Sequence, residues 1–296
     1  MKLPILAISV RKLLRLGALA LVVGLMHLGG NQAQATGHVT CGDVLTTPTT
    51  LDFDLGVCPG PDPALTIVTG GTLKCTNNAI LSGDGKGLGI FLDNVSGVGE
   101  TVKNCDIRHF SIGILLSEST GNTLKNNEVT GSTSRGSGGI TLVKDSDKNT
   151  LLNNTANDNN GRGIALNNAS NNELKNNRVG GNNFRGIGIV HNSNDNILTN
   201  NRAINNDSAG YVVYRSTGNL LEKNRSTGSE YEGFAFLQAT GNTFTGNTAK
   251  GNGTFGYRDN TTGTGTLGTA NDYNNNKCTS NKSGGSSPTG LCTPQP

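Results

Sequence analysis

Several residue types that commonly carry function are scarce in this chain. Its 296 residues include no tryptophan, two methionines and four histidines, and aromatic residues make up only 4%. The methionines are Met1 and Met26, and only His38, His109 and His191 follow residue 35. There is no CxxC pair and no Cys/His cluster. A copper site, which needs sulfur or imidazole ligands, is therefore poorly supported.

Long apolar runs are also absent after residues 1–35, which resemble a secretory signal peptide. Four basic residues precede an apolar run over 16–28, and the small-residue pattern Ala33-Gln34-Ala35 follows. This run falls short of the ~20 residues that span a bilayer, which favours cleavage over retention as a membrane anchor. We expect an exported protein, periplasmic or extracellular, with no membrane span after cleavage.

A surplus of positive charge is missing too. The chain has 24 basic and 21 acidic residues, but four of the basic and none of the acidic ones lie in the predicted leader. The remainder is formally −1, so we expect no nucleic-acid partner. With 33% hydrophobic residues the composition would also suit a disordered chain. The regular placement of the apolar residues argues against disorder.

The abundant feature is an asparagine repeat. Leu or Phe lies two positions after each repeat start, and a second Asn lies five positions after it. The clearest starts are 23 or 24 residues apart, at Asn149, Asn172, Asn196, Asn219 and Asn242. A fixed period of this length is typical of a solenoid. Weaker copies start at Gly71, Glu100, Asn122 and Asn271.

Short alternating apolar segments within each repeat predict strands, as in Gly163-Ile-Ala-Leu and Gly233-Phe-Ala-Phe. About three strands per coil, each pairing in parallel with its equivalent one coil away, satisfy the period. Positions 2, 7 and 15 after each start should then form inward apolar columns. The sequence thus predicts an all-β fold, a single-stranded parallel β-helix of about nine coils.

The predicted layout has four parts. Residues 1–35 are the signal peptide, 36–70 an N-terminal cap region that shields the first coil, 71–276 the parallel β-helix, and 277–296 a polar C-terminal tail without repeat signal. Departures from the period over 130–138 and 260–269 mark loops that leave the coil. We expect the protein to be a monomer.

The second asparagine of each repeat is predicted to be structural. Asn tolerates the left-handed backbone of a sharp turn, and stacked Asn amides can bond one another in a ladder. An unsatisfied buried amide would cost about 1–3 kcal/mol, so a coil out of register would be disfavoured.

All six cysteines follow the leader, in a potentially oxidising setting, and are expected to form disulfides. Cys41–Cys58 would close a loop of the cap region, and Cys278–Cys292 would tie the tail. Cys75 and Cys105 occupy similar places in successive coils, so they could form a bridge or stack in the core.

Specific segments resemble the right-handed parallel β-helix family of the pectin-lyase-like group. They include Cys41-Gly-Asp, Cys58-Pro-Gly, Thr72-Leu-Lys-Cys and Val102-Lys-Asn-Cys-Asp-Ile, which resemble the opening coils of exported bacterial members. The resemblance covers about residues 40–276 and implies a right-handed coil. The family's usual Asn-Gly-His-Thr-Ile step is Thr76-Asn-Asn-Ala-Ile here. Activities in the group include polysaccharide lyases, hydrolases and uronate epimerases, and the repeats also occur in a periplasmic copper-maturation family.

A first candidate site comes from the column four residues before each start. Asp145, Asn168, Asn192 and Arg215 follow one another there, with His191 close by. His191 would accept a proton, Arg215 would pair a substrate carboxylate, and Asp145 would complete the catalytic set. A solvated polar turn is the alternative. The Asp pair and Gly-His-Gly expected for polygalacturonase-like hydrolysis are missing.

Two further patches are candidate substrate-binding surfaces. Arg162 and Arg185 stack just before the coil Gly, and a third column holds Arg178, Arg202 and Arg225 with no acidic partner. Asp207 and Glu230, beside the first patch, are candidate ligands for a divalent cation. Calcium is the candidate cofactor. Surface salt bridges or solvated side chains are the alternatives.

These features favour an exported protein that binds an acidic polysaccharide and, if it is an enzyme, modifies it by β-elimination or epimerisation at a uronate. A non-catalytic envelope or surface scaffold is the first alternative. A periplasmic copper-handling protein is the second.

Overall fold

The chain winds into stacked coils, and each coil contributes one strand to each of three parallel sheets. The computed structural model describes residues 38–93 and 99–294. Within these residues sheet A has eleven strands, and sheets B and C have ten each. Neighbouring strands come from successive coils, as when Leu174 pairs with Leu151 on one side and Leu198 on the other. The all-β parallel solenoid that the period predicts is confirmed.

The strands are short, and they recur in the order A, B, C along the chain. The strands of sheet A are Asp43–Leu45, Leu65–Ile67, Leu88–Asp93, Ile112–Ser117, Gly138–Val143, Arg162–Asn167, Ile187–Val190, Tyr211–Tyr214, Phe234–Leu237, Phe255–Asp259 and Gly284–Ser287. The strands of sheet B are Pro48–Leu51, Thr72–Cys75, Thr101–Lys103, Thr123–Lys125, Thr150–Leu152, Glu173–Lys175, Ile197–Thr199, Leu220–Glu222, Thr243–Thr245 and Asp272–Asn274. The strands of sheet C are Leu55–Cys58, Ile80–Gly83, Asp106–Arg108, Glu128–Thr130, Thr155–Asn157, Arg178–Gly180, Arg202–Ile204, Arg225–Thr227, Thr248–Lys250 and Lys277–Thr279. One 3₁₀ turn, Thr266–Gly268, lies in the predicted loop over 260–269.

Inward-facing apolar columns form the core, as predicted. Each three-residue strand of sheets B and C buries its central residue, such as Leu174 in one sheet and Val179 in the other. The residues of the third predicted column, from Ile164 to Tyr257, are likewise buried. Within this column the rings of Tyr211, Phe234 and Tyr257 stack with centroids 4.6 and 4.7 Å apart. Burial of each large side chain contributes about 1.5–3 kcal/mol, which stabilises a chain of polar composition.

Buried asparagines form three ladders along the axis, where the sequence predicted one. Each side-chain amide donates to the Oδ1 of the equivalent Asn in the next coil, and that Oδ1 also accepts the first residue's backbone N–H. The predicted ladder runs through Asn154, Asn177 and Asn201. A second includes the repeat starts, and a third lies ten residues after them, as with Asn159 and Asn182. The sequence predicted neither the second nor the third ladder.

The left-handed turn residue is not the ladder asparagine. Positive φ occurs one position earlier, at Asn153 (56°), Asn176 (56°) and Asn200 (57°). The prediction that the ladder residue itself adopts this conformation is therefore wrong. Its neighbour turns the chain, which leaves the ladder amide pointing inward to bond along the axis.

The solenoid extends beyond the predicted range 71–276 at both ends. The described part of the segment 36–70, from residue 38, contributes strands to all three sheets, from Asp43–Leu45 to Leu65–Ile67. The segment 277–296, predicted to be a tail without repeats, contributes Lys277–Thr279 and Gly284–Ser287. Asn281 explains the difference, because it continues the third ladder by accepting from Asn252. Cys278 and Asn281 lie seven and ten residues after the repeat start Asn271, so this segment completes the Asn271 coil.

Three disulfides join Cys41 to Cys58, Cys75 to Cys105 and Cys278 to Cys292. The second pair bridges two successive coils, which resolves the choice between bridging and stacking. The predicted signal peptide lies outside the described residues. Among the residues that the structure describes, no helix has the length and apolarity needed to cross a membrane.

Candidate functional site

The arginine row is the set Arg178, Arg202 and Arg225 on the outer face of sheet C. All three occupy the first position of their strands and pair in register. Their central neighbours Val179 and Ala203 point inward, so the arginines point out, and all three are exposed. Parallel strands are about 4.8 Å apart, which places three guanidinium-bearing side chains at even steps along the axis. The structure therefore brings these predicted residues together.

A groove of about 600 Å³ follows the arginine row. Its lining includes the turn residues Asn176, Asn200 and Lys223, together with Thr248 in the next coil. Among the described residues the arginine row has no salt bridge, and Arg225 Nε donates to Thr227 Oγ1 at 3.0 Å. The groove thus offers unpaired positive charge beside amide and hydroxyl groups, a combination suited to carboxylates and sugar hydroxyls.

A second surface lies on the outer face of sheet A. Its middle column has small or apolar side chains in register, from Thr141 through Ala165, Gly188 and Val212 to Ala235. These residues are buried although they face outward, because taller side chains rise on both sides of the column. We call this column the sheet A floor.

One side of the sheet A floor carries two of the three predicted catalytic residues. The His191 ring packs edge-on against the Tyr214 ring, with centroids 5.3 Å apart. The Arg215 guanidinium lies over the same ring, 4.9 Å from its centroid. His191 Nδ1 is 3.1 Å from Asn167 Oδ1, and Arg215 Nε donates to Gln238 Oε1 at 2.7 Å. The exposed His191 and Arg215 are therefore held together by one aromatic ring.

The third predicted catalytic residue is not part of this group. Asp145 precedes Arg215 by three coil steps, about 14 Å along the axis. Its Oδ1 accepts from Asn168 Nδ2 at 2.9 Å. Asp145 therefore lies on the same corner of the solenoid but too far from Arg215 to act with it on one sugar residue.

Arg162 and Arg185 rise on the opposite side of the sheet A floor. Both guanidinium groups lie over the Phe184 ring, at 5.2 and 4.5 Å from its centroid. Arg162 also donates to the Gly136 carbonyl oxygen. Burial and the nearby Arg185 lower the pKa of Arg162 to about 10. Burial lowers the pKa of Arg185 as well, while Glu232 opposes that change.

Glu232 does not neutralise this pair, because it forms a salt bridge with Arg258 at 3.1 Å. The Nε atoms of Arg162 and Arg185 have no hydrogen-bond partner in the structure. Two half-buried cations that have no salt bridge among the described residues are unfavourable in an isolated protein and typical of sites that receive an anion.

The candidate cation ligands lie beside this pair. Asp207 and Glu230 occupy the same position in adjacent coils, and Asp207 lines a cavity of about 420 Å³ with Asn183 and Phe184. In the described part of the chain, no group of three or more His, Cys, Asp or Glu side chains is arranged to hold a metal ion. Two carboxylates are fewer than the six to eight oxygen ligands that calcium takes.

Tyr214 and Phe184 are site residues that the sequence analysis missed. Each is an aromatic side chain that holds two of the predicted cationic or imidazole groups in place. The signal was available, since Tyr214 directly precedes Arg215 and Phe184 directly precedes Arg185 in a chain poor in aromatic residues. Which side chains meet across coils, however, depends on the register of neighbouring strands.

The fold is shared with several solved structures. The periplasmic alginate epimerase AlgG has 17% sequence identity and a TM-score of 0.64, over 79% of this chain and 61% of that chain. An alginate lyase from Paenibacillus sp. str. FPU-7 has 16% identity and a TM-score of 0.56, over 82% and 91%. Pectate lyase Pel9A has 13% identity and a TM-score of 0.50, over 83% and 69%. At these identities the likeness establishes the fold alone.

The chain spans 51% of a second epimerase chain, a mutant of the same enzyme. A search of curated proteins finds no match to this sequence. A family model described as a right-handed beta helix region matches residues 88–249. Because that match covers more than half of the sequence and agrees with the three-sheet coil, the chain belongs to the right-handed β-helix family.

Proposed function

We propose that this protein is exported and binds an acidic polysaccharide along the arginine row. The observation that carries the proposal is the in-register row of Arg178, Arg202 and Arg225, which is exposed and has no salt bridge among the described residues. A sugar residue advances an extended polymer by about 5 Å, close to the strand spacing. Successive uronate carboxylates can therefore meet successive guanidinium groups.

The fold neighbours and the disulfides support the proposal. An alginate epimerase, an alginate lyase and a pectate lyase share the coil. Three disulfides are typical of an oxidising compartment, which supports export to the periplasm or beyond. Because the described cysteines are all paired, none offers a free thiolate to copper, and the copper-handling alternative loses those ligands.

The test is direct binding to alginate and polygalacturonate, with neutral dextran as the comparison. Each exposed guanidinium–carboxylate contact contributes about 0.5–1 kcal/mol, so the triple variant Arg178→Gln, Arg202→Gln, Arg225→Gln should weaken binding about 10- to 100-fold. The matched control is Lys86→Gln, Lys148→Gln, Lys282→Gln, which removes three exposed charges elsewhere. Equal affinity of both triple variants, or of the acidic and neutral polymers, would refute the proposal. A non-catalytic scaffold would then be favoured.

A second candidate function is uronate modification beside the sheet A floor, supported by the His191–Tyr214–Arg215 group. β-Elimination and epimerisation both begin with removal of the proton on the carbon next to the uronate carboxylate. Arg215 would pair that carboxylate. With Nδ1–H donating to Asn167, His191 Nε2 has a free lone pair to accept the proton.

The two reactions then diverge. In β-elimination the electron pair forms a carbon–carbon double bond as the neighbouring glycosidic C–O bond breaks, and the leaving oxygen takes a proton. In epimerisation a proton returns to the opposite face of the same carbon. Arg162 and Arg185, across the floor, would hold the carboxylate of an adjacent sugar.

Ultraviolet absorbance of unsaturated uronate reports elimination, and deuterium incorporation from solvent reports epimerisation. His191→Gln should reduce either rate by about 100-fold or more. The control His109→Gln changes an exposed histidine that also has positive φ but lies on another corner. Turnover that is equal in the two variants would remove His191 from the mechanism.

A further inference from the structure

A second basic row, which the sequence analysis did not predict, lies on the outer face of sheet B. Lys74, Lys103 and Lys125 occupy the same position in three consecutive coils and pair in register. Lys74 and Lys125 are exposed, and Lys103 is half-buried. Among the described residues none of the three has a salt bridge. We call this set the lysine row.

Two acidic side chains lie across the turn between sheets B and C from the lysine row. Asp106 and Glu128 follow Lys103 and Lys125 by three residues, on sheet C. Asp106 forms a salt bridge with Arg108 through both carboxylate oxygens. Asp106 and Glu128 both raise the pKa of Arg108, which shows that they stabilise that guanidinium. The lysine row has no salt-bridge partner among the described residues, and neither does the exposed Glu128 on the adjoining strand.

The lysine row and the arginine row flank one corner of the solenoid, the turn between sheets B and C. Lys175 and Arg178 occur three residues apart in the same coil, one on each side of that turn. The turn itself exposes polar amides, since Asn126 Nδ2 donates to Asn104 Oδ1 at 3.1 Å and Asn153 Nδ2 donates to Asn126 Oδ1 at 3.2 Å. One coil separates the two rows. At this corner it carries Leu152, Asn153 and Thr155, none of which is charged.

The geometry points to one continuous acidic-polysaccharide site along this corner, in which the lysine row is the second half of the arginine groove. The inference rests on the proposed function, because it extends the same ligand. From Lys74 to Arg225 there are six strand spacings, or about 29 Å, whereas the arginine row alone covers about 10 Å. A trisaccharide therefore fits the arginine row, and a chain of about seven or more sugars reaches both rows.

The experiment compares ligands of two lengths. Uronate trisaccharides and uronate chains of eight or more residues are titrated against the wild-type protein, the lysine-row variant Lys74→Gln, Lys103→Gln, Lys125→Gln, and the control Lys86→Gln, Lys148→Gln, Lys282→Gln. We expect the lysine-row variant to bind the long chains about tenfold more weakly and the trisaccharide within twofold of wild type. The control should match wild type for both.

Three other outcomes are informative. If the lysine-row variant and wild type bind long chains equally, the inference is overturned while the proposed function stands. If wild type binds neither ligand, the proposed function itself fails. If single-stranded DNA of equal charge binds both rows as well as the long uronate does, the surface is a general polyanion site and the polysaccharide assignment is overturned. Circular dichroism of each variant excludes loss of the fold as the cause.

Discussion

Replacing Asn177 with alanine tests whether the asparagine ladders hold neighbouring coils together. Asn177 is buried, and its Oδ1 accepts from the backbone N–H of Asn154 at 2.8 Å and from the Asn154 side chain at 3.1 Å. Its Nδ2 donates to the Leu151 carbonyl at 2.8 Å and to Asn201 Oδ1 at 2.9 Å. The substitution removes these four hydrogen bonds.

The expected cost follows from these contacts. Each buried hydrogen bond contributes about 0.5–1.5 kcal/mol net, which gives about 2–6 kcal/mol for the four. Two partners keep another bond, because the Asn154 amide still donates to Leu124 and Asn201 Oδ1 still accepts the backbone N–H of residue 177. The backbone N–H of Asn154 keeps no other bond, because its acceptor is the Asn177 Oδ1 that the substitution removes. The lower half of the range, about 2–4 kcal/mol, is therefore expected.

The measurement is urea unfolding combined with native-state hydrogen exchange. Because a solenoid coil contacts only its neighbours, the loss should be local, and the Asn154 amide should exchange at least tenfold faster. The matched control is Asn176→Gly, at the exposed neighbour with φ 56°, which glycine adopts without strain. A loss below about 1 kcal/mol for Asn177→Ala, or one no larger than in the control, would contradict the ladder account.

Three more predictions follow from the core, the disulfides and the sheet A floor. Replacing both Cys75 and Cys105 with serine should lower the free energy of unfolding by about 3–4 kcal/mol, the loop entropy of a 30-residue separation, and a urea titration that shows no change would contradict this. Phe234→Ala should cost about 3–5 kcal/mol, since the ring is fully buried in the aromatic stack, and Phe234→Leu, scanned in parallel for its melting temperature, should cost clearly less. Arg162→Met should stabilise the protein by about 1–3 kcal/mol at pH 7, because burial disfavours the charged guanidinium. The lowered pKa of Arg162 makes the wild type more stable as the pH rises through about 10, so the stability gained by Arg162→Met should shrink there. If that gain stays constant up to about pH 11, burial of the charged guanidinium is not its cause.

The fold could be predicted from the sequence because its stabilising contacts repeat at one interval. Leu174 and Leu198 lie in one column, and Asn177 and Asn201 in another, so a single alignment of coils places both. The third ladder, which includes Asn182, was missed because serine replaces asparagine in two of its coils, at Ser132 and Ser229. The last coil, which starts at Asn271, was predicted to end at residue 276 because its next ladder residue, Asn281, belongs to the ladder that was missed.

The candidate site was predictable only where it follows the same interval. The arginine row lies on a strict column, and the structure confirms its alignment. The predicted set of Asp145, His191 and Arg215 lies on a corner where successive coils differ in length by one residue. At this corner the distance along the axis decides which of the three side chains meet. Tyr214 links His191 and Arg215 through ring contacts, which no spacing rule reveals.

The constant five-residue intervals between the ladders divide the molecule into an invariant part and an adjustable part. Asn149, Asn154 and Asn159 are five residues apart, and so are Asn172, Asn177 and Asn182, although the coils from Asn122 onward range from 23 to 29 residues. From Asn122 onward every insertion is therefore confined to the remaining arc, where loops can grow without disturbing the amides. In these coils the side of the solenoid that carries the ladders repeats with constant spacing along the axis. On this side, single substitutions of surface side chains can change which ligand is preferred without changing the backbone.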